Sequence, residues 1–185
     1  LAERGRRRVA ILFNSLERID GGLSKYVDRL LVERDMVCPP HWRQAVVWRE
    51  PVAADHCVQL LLNGPAETRP DALVLTDDNF IEGAAAGLMA TAIKAGDDID
   101  VVAMANFPLS ADPALPFDLL GYNQSAMLRQ AVELIDCQRR RQEVPKLTTI
   151  DPVWYDDLNP AARTAAPYGA VAKRFQEPIR SPLWL

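Results

Sequence analysis

Two adjacent carboxylates, Asp77 and Asp78, follow the short apolar run Ala72 to Leu75 and precede a helix-like segment. Ionised carboxylates accept several hydrogen bonds, and a bidentate contact to vicinal hydroxyls suits a sugar or a nucleoside. Each charged hydrogen bond of that kind contributes about 1.5–3 kcal/mol net. The same placement has a plainer explanation, because the helix macrodipole favours acids in the first turn by about 0.3–1 kcal/mol. Other polar residues fall at equivalent places. Arg18 lies in the loop after the first apolar run, Arg49 and Glu50 follow the second, and Asn106 follows the fourth. In an open α/β sheet the carboxyl ends of the strands form one rim, and ligands bind there. Convergence of Arg18, Arg49, Asp77, Asp78 and Asn106 on that rim is what a polar ligand site needs.

Other chemistries fit the residues less well. A metal-binding acidic pocket like that of phosphoryl-transfer receiver domains needs an acidic pair after the first strand, where Asn14-Ser15-Leu16-Glu17 stands instead. Cys38-Pro-Pro-His41 and His56-Cys57 supply zinc-type ligands. Neighbouring residues on a helix point about 100° apart, which suits tetrahedral ligation poorly. No Gly-x-Ser-x-Gly elbow and no glycine-rich phosphate loop is present; Gly21-Gly22 alone is a weak signal. The cluster Arg4, Arg6, Arg7, Arg8 reads as the flank of a strand or as a phosphate contact. The expectation is a binding domain with no catalytic residues, no cofactor and no metal.

The elements that must position this rim follow from periodicity. Val9 to Phe13 is a continuous apolar run, which fits a strand buried on both faces. Gly22 to Asp35 has near-helical apolar spacing, and Pro39-Pro40 ends it. Ala45 to Trp48 reads as a second strand, and Ala53 to Leu62 as a helix stopped by Asn63-Gly64. Asn79 with Glu82 has the form of a capping box for a third helix, which Gly96 would stop as a left-handed residue. That helix carries Gly83, Gly87 and Thr91 at four-residue spacing, a smooth face open to close approach. Val101 to Met104 is a fourth strand and Phe117 to Leu120 a brief fifth. Ser125 to Arg140 reads as a helix with Met127, Leu128, Ala131, Leu134 and Ile135 inward, and Leu147 to Val153 as a last strand. Repeated strand–helix steps predict an α/β fold, a parallel sheet with helices on both faces. The last thirty or so residues show no period and read as mostly irregular.

Composition sets the outer bounds. A chain of 185 residues, 49% hydrophobic, supports one core or two small lobes. Net charge of −4 and a pI near 5.2 disfavour an obligate polyanion binder. Cys38, Cys57 and Cys137 are an odd count without tight spacing, which suggests reduced thiols and a cytoplasmic setting. No apolar run reaches transmembrane length. The chain opens Leu1-Ala-Glu-Arg-Gly without methionine, and reads as a fragment of something longer.

With these residues in hand, the chain resembles the sugar-responsive regulators of the lactose/galactose-repressor family, which share the type I periplasmic-binding-protein fold. Leu1-Ala-Glu-Arg-Gly-Arg-Arg-Arg-Val-Ala-Ile-Leu12 looks like the family's helix end and first strand of the C-terminal subdomain, with Arg6 in place of the usual histidine. Pro70-Asp-Ala-Leu-Val-Leu-Thr-Asp-Asp-Asn79, then Gly83 and Ala84, is similar to the family's "Pro-Asp-Ala … Asn-Asp … Ala-x-Gly" signature. Its effector-contacting aspartate falls on Asp78, while Asp77 replaces an asparagine. Arg18 occupies the place of an effector-binding arginine. Val101-Val-Ala-Met-Ala-Asn106 looks like the family's "Val-Val-Gly-Phe-Asp-Asp" strand without its glycine, aromatic and aspartates.

The resemblance implies the effector-binding part of a bacterial transcription regulator that senses a sugar-like molecule. It implies DNA contact through a segment upstream of Leu1, and a homodimer formed through helix 79–95 or helix 125–140. The alternative it leaves open is a sugar-binding protein of a transport or sensor system without DNA binding. By the same correspondence, residues 1–106 and 144–153 form the C-terminal subdomain, 107–143 belong to the other lobe, and 154–185 are an irregular tail.

Overall fold

The structure is a computed structural model, and it describes residues 1–15, 22–47, 50–109 and 113–158. Six strands form one sheet in the order β2-β1-β3-β4-β5-β6. They are β1 (Val9–Phe13), β2 (Arg43–Ala45), β3 (Ala72–Leu75), β4 (Asp100–Phe107), β5 (Asp118–Asn123) and β6 (Val153–Trp154). The first five pair in parallel, and β6 joins β5 antiparallel at the far edge. The helices are α1 (Gly22–Val32), α2 (Pro51–Leu62), α3 (Ile81–Met89), α4 (Gln124–Arg139) and the single turn α5 (Tyr155–Leu158). The chain crosses from β1 to β2 in one direction, and from β2 to β3 and on to β4 in the other. Right-handed crossovers therefore put α1 on one face and α2 and α3 on the opposite face.

The central strands are apolar for a reason visible in their burial. All five residues of β1 are buried, as the continuous run requires. Leu73, Leu75, Val101, Ala103, Ala105, Phe107 and Leu119 share the face under α2 and α3 and are all buried. The other face of the same strands is barer. Val74, Val102 and Leu120 there are half-buried, and Met104 and Tyr122 are 37% and 36% exposed.

At its N-terminal end, beside this sheet, the chain makes a tight turn. Gly5, at φ 80°, donates to the Ala2 carbonyl at 3.0 Å, and the Arg6 amide donates to Leu1 at 3.2 Å. This is the hydrogen-bond pattern of a helix C-terminus closed by a left-handed glycine. Behind it the arginines are tied down. Arg4 pairs with Asp118 at 2.5 Å, Arg6 with the buried Asp100 at 3.2 Å, and Arg8 with Asp71 at 3.4 Å. The side chain of Arg6 also donates to the carbonyls of Asp97 and Asp98. These three side chains clamp the start of β1 to the starts of β3, β4 and β5, so the phosphate reading of the cluster gives way to a structural one.

Two glycines mark close approaches. A Cβ on Gly87 would stand 2.6 Å from the Asp55 carbonyl oxygen and 2.9 Å from Val58 Cβ. The smooth face of α3 is thus occupied by α2, and is not the free subunit surface that its spacing suggests. A Cβ on Gly121 would overlap the Ala105 carbonyl on β4.

Several expectations shift. The second strand lies at Arg43–Ala45 rather than Ala45–Trp48, because pairing with Ile11, Leu12 and Phe13 sets its register. The third helix ends at Met89, and Gly96 at φ 89° closes a later turn instead. The last strand shrinks to Val153–Trp154. Within residues 107–143, β5 pairs with β4 in this sheet, with register Val102↔Asp118 through Phe107↔Asn123. In α4, capped by Asn123 accepting from the Ala126 amide at 3.0 Å, no residue is buried. Of the apolar row expected inward, Leu134 is half-buried and the rest is turned out, with Met127, Leu128 and Ile135 at 41%, 68% and 53% exposure. Ala126, Gln130, Leu134 and Cys137 make the half-buried face instead. Helical period fixes which residues share a face, but not what covers it. Of the expected tail 154–185, Tyr155–Leu158 forms α5, and 159–185 lie outside the described residues.

Candidate functional site at the carboxyl edge of the sheet

The parallel strands deliver polar side chains at their carboxyl ends. Asn14 follows β1, Asp77 and Asp78 follow β3, and Asn106 sits near the end of β4. Thr76 anchors the turn after β3, its amide and hydroxyl both donating to the Leu12 carbonyl at 3.1 and 3.0 Å. Asp77 caps the single 3-10 turn Asp78–Phe80 by accepting from the Asn79 amide. This differs from the Asn79–Glu82 box that the spacing suggests. Phe80, 1% exposed, plugs the turn into the core and fixes where the two carboxylates stand.

The site is a chain of amides and carboxylates. Asn14 Nδ2 donates to Asp77 Oδ2 at 2.8 Å. Asp77 Oδ1 accepts from the Asn79 amide at 3.1 Å and from Asn79 Nδ2 at 2.7 Å. Asn106 Nδ2 donates to Asp78 Oδ2 at 2.8 Å, across from β4 to β3. Asp78 Oδ1 makes a long contact, 3.4 Å, to Asn79 Nδ2. Burial raises the pKa of Asp77, but hydrogen bonds from Asn14 and Asn79 outweigh it and hold the carboxyl below its ordinary value. Asp77 is therefore an ionised, well-partnered anchor. Asp78, half-buried, retains the lone pairs with which a ligand hydroxyl can bond.

Of the five residues expected at the rim, the structure brings together Asp77, Asp78 and Asn106. Arg18 and Arg49 lie outside the described residues. Asn14 was not among them, although its place directly after β1 is the signal that would have found it. The arrangement can hold a polyhydroxyl ligand by charge-assisted hydrogen bonds without any bond being made or broken.

No family model matches the sequence, and no curated protein does. Solved structures do match in shape. The Lactobacillus casei LacI-family transcriptional regulator with bound sucrose superposes with TM-score 0.66 at 18% identity, covering 82% of this chain and 56% of that one. The Escherichia coli transcriptional repressor ascG gives 0.64 at 17%, covering 83% and 55%. The fold is that of the lactose-repressor regulators. The lactose repressor itself, bound to the anti-inducer ONPF, gives 0.66 at 17%, covering 83% of this chain. The chain spans just over half the length of these regulators, 54–56%. No described helix is long and apolar enough to cross a membrane.

Proposed function

We propose that the chain is the effector-binding part of a bacterial, cytoplasmic transcription regulator, and that it takes a sugar-like molecule at the carboxyl edge of the sheet. The observation that carries this reading is the Asn106–Asp78 hydrogen bond between β4 and β3, beside the well-anchored Asp77, in a fold shared with regulators whose structures hold sucrose or glucose. Asp78 and Asn106 contact the hydroxyls, Asp77 holds Asn14 and Asn79 in place, and Arg18 and Arg49 are the further ligand contacts expected from the sequence. No covalent step is involved. A ligand that binds one cleft geometry better than another shifts the population between them, and DNA held through a segment upstream of Leu1 reads out that shift.

In this reading the outward apolar row of α4 packs against a second lobe of the regulator. In the chain on its own the row drives a homodimer, which sedimentation detects as a species lost in Leu128→Lys. The ligand site is tested by calorimetric titration with glucose and sucrose. Asp78→Ala removes charged hydrogen bonds and lowers affinity by about tenfold to a hundredfold. Unchanged affinity in that variant, or no heat with either sugar in the wild-type chain, would refute the assignment.

A further inference from the structure

A groove of about 670 Å³ runs between the outer strand β2 and helix α2, lined in part by Trp42, Val47, Ala53, Leu60 and Leu61. Ligand pockets typically hold about 300–1,000 Å³, with mostly apolar walls and a few polar groups. None of the rim residues Asn14, Asp77, Asp78, Asn79 or Asn106 lines it, so it is a separate place on the molecule.

Its charge pattern is one-sided. The chain has 25 acidic residues, yet among the described residues no aspartate or glutamate lines the groove. Both of the chain's 2 histidines do, His41 and His56, together with Arg69. The thiol of Cys57, also in the wall, is pushed up to about 11 by burial and is neutral. Arg69 differs from Arg4, Arg6, Arg8 and Arg43, each of which is ion-paired: its guanidinium has no carboxylate partner among the described residues. Its backbone is nonetheless held, the amide donating to Pro65 at 3.0 Å and the carbonyl accepting from Arg8 Nε at 2.6 Å. A fixed backbone, a guanidinium without a described carboxylate partner and an apolar wall with no acid among the described residues are complementary to one kind of molecule.

We propose that this groove is a second ligand site, for a small amphipathic carboxylate whose apolar body lies along Val47, Leu60 and Leu61 and whose carboxylate pairs with Arg69. A guanidinium matches a carboxylate through two parallel N–H···O bonds, which gives direction as well as affinity. Leu60, 76% exposed, loses water contact when the groove fills. The site operates whether or not the carboxyl edge binds a sugar.

Amide NMR titration of the whole chain with octanoate tests this, with octylamine as the probe of equal length and opposite charge. Octanoate shifts the amides of Ala45, Cys57, Leu60, Leu61 and Thr68 saturably, and octylamine binds at least about tenfold more weakly. Arg69→Gln lowers octanoate affinity by about tenfold with the spectrum otherwise intact. Leu60→Asp, a change at an exposed position that leaves the fold in place, puts a like charge in the wall and abolishes octanoate binding. Equal binding of acid and amine, shifts centred away from the groove, no saturation, or an unaltered affinity in Arg69→Gln would each overturn the proposal.

Discussion

The close approach of α2 and α3 makes the sign of one substitution informative. Gly87→Ala places a methyl 2.6 Å from the Asp55 carbonyl oxygen and 2.9 Å from Val58 Cβ. The nearer atom is backbone, which cannot rotate aside, and Val58 is fully buried, so the two helices must part. Overpacking of this kind costs about 1–3 kcal/mol. Against it, alanine is a better helix former than glycine by about 0.8–1 kcal/mol. The balance predicts a net loss of about 1 kcal/mol, read as a lower urea midpoint with an unchanged slope in equilibrium unfolding by circular dichroism. Two controls separate the effects. Ala86→Gly, exposed on the same helix, loses the propensity term alone, about 1 kcal/mol. Gly64→Ala, whose Cβ would meet Thr68 at 4.0 Å, changes the unfolding free energy by no more than about 0.5 kcal/mol. A higher midpoint for Gly87→Ala would show that the helices are not in contact there, and would return that glycine face to the list of free surfaces.

Three further outcomes follow from the same structure. Gly121→Ala forces a methyl into the Ala105 carbonyl and separates β4 from β5, so unfolding measurements should show a loss above about 3 kcal/mol or no folded protein at all. Asp100→Ala leaves Arg6 without its buried carboxylate partner; the guanidinium keeps its bonds to the Asp97 and Asp98 carbonyls, so the loss falls at the low end for buried pairs, about 3 kcal/mol. The carboxyl of Asp77 lies below its ordinary value of 3.8 in the folded chain. Its stabilising contribution is therefore fully present above that value and is lost as pH falls through the lower, folded pKa. Asp77→Asn should then be less stable than wild type at pH 7, and the difference should shrink in acid titrations below about pH 3.8; a difference that grew in acid would contradict the hydrogen-bond assignment.

What could be read in the sequence divides along physical lines. The continuous run Val9–Phe13 and the unit Ala72–Asp78 are determined locally, since an apolar run ended by polar residues has few other ways to be buried; both stand as strands, the second with Asp77 and Asp78 at its carboxyl edge. Asn106 could be placed for the same reason. The partnering among these residues was not legible, because which amide meets which carboxylate depends on the spacing of neighbouring strands. Asn14 is the case in point: in the sequence it is simply the first polar residue after β1, and only strand pairing brings it within 2.8 Å of Asp77. The glycine spacing of α3 correctly signals close approach, but the neighbour is the preceding helix rather than another molecule. In α4 the period holds while the orientation does not, because no described element lies over Leu128, Val132 and Ile135.

The central claim is that ligand hydroxyls meet Asp78 and Asn106 at the carboxyl edge of the sheet. A crystal structure of the chain grown with glucose or sucrose tests it most directly. The account predicts a sugar ring at that edge with a hydroxyl within about 3 Å of an Asp78 carboxylate oxygen. A sugar found elsewhere, with the edge unoccupied and the Asn106–Asp78 bond undisturbed, would contradict it.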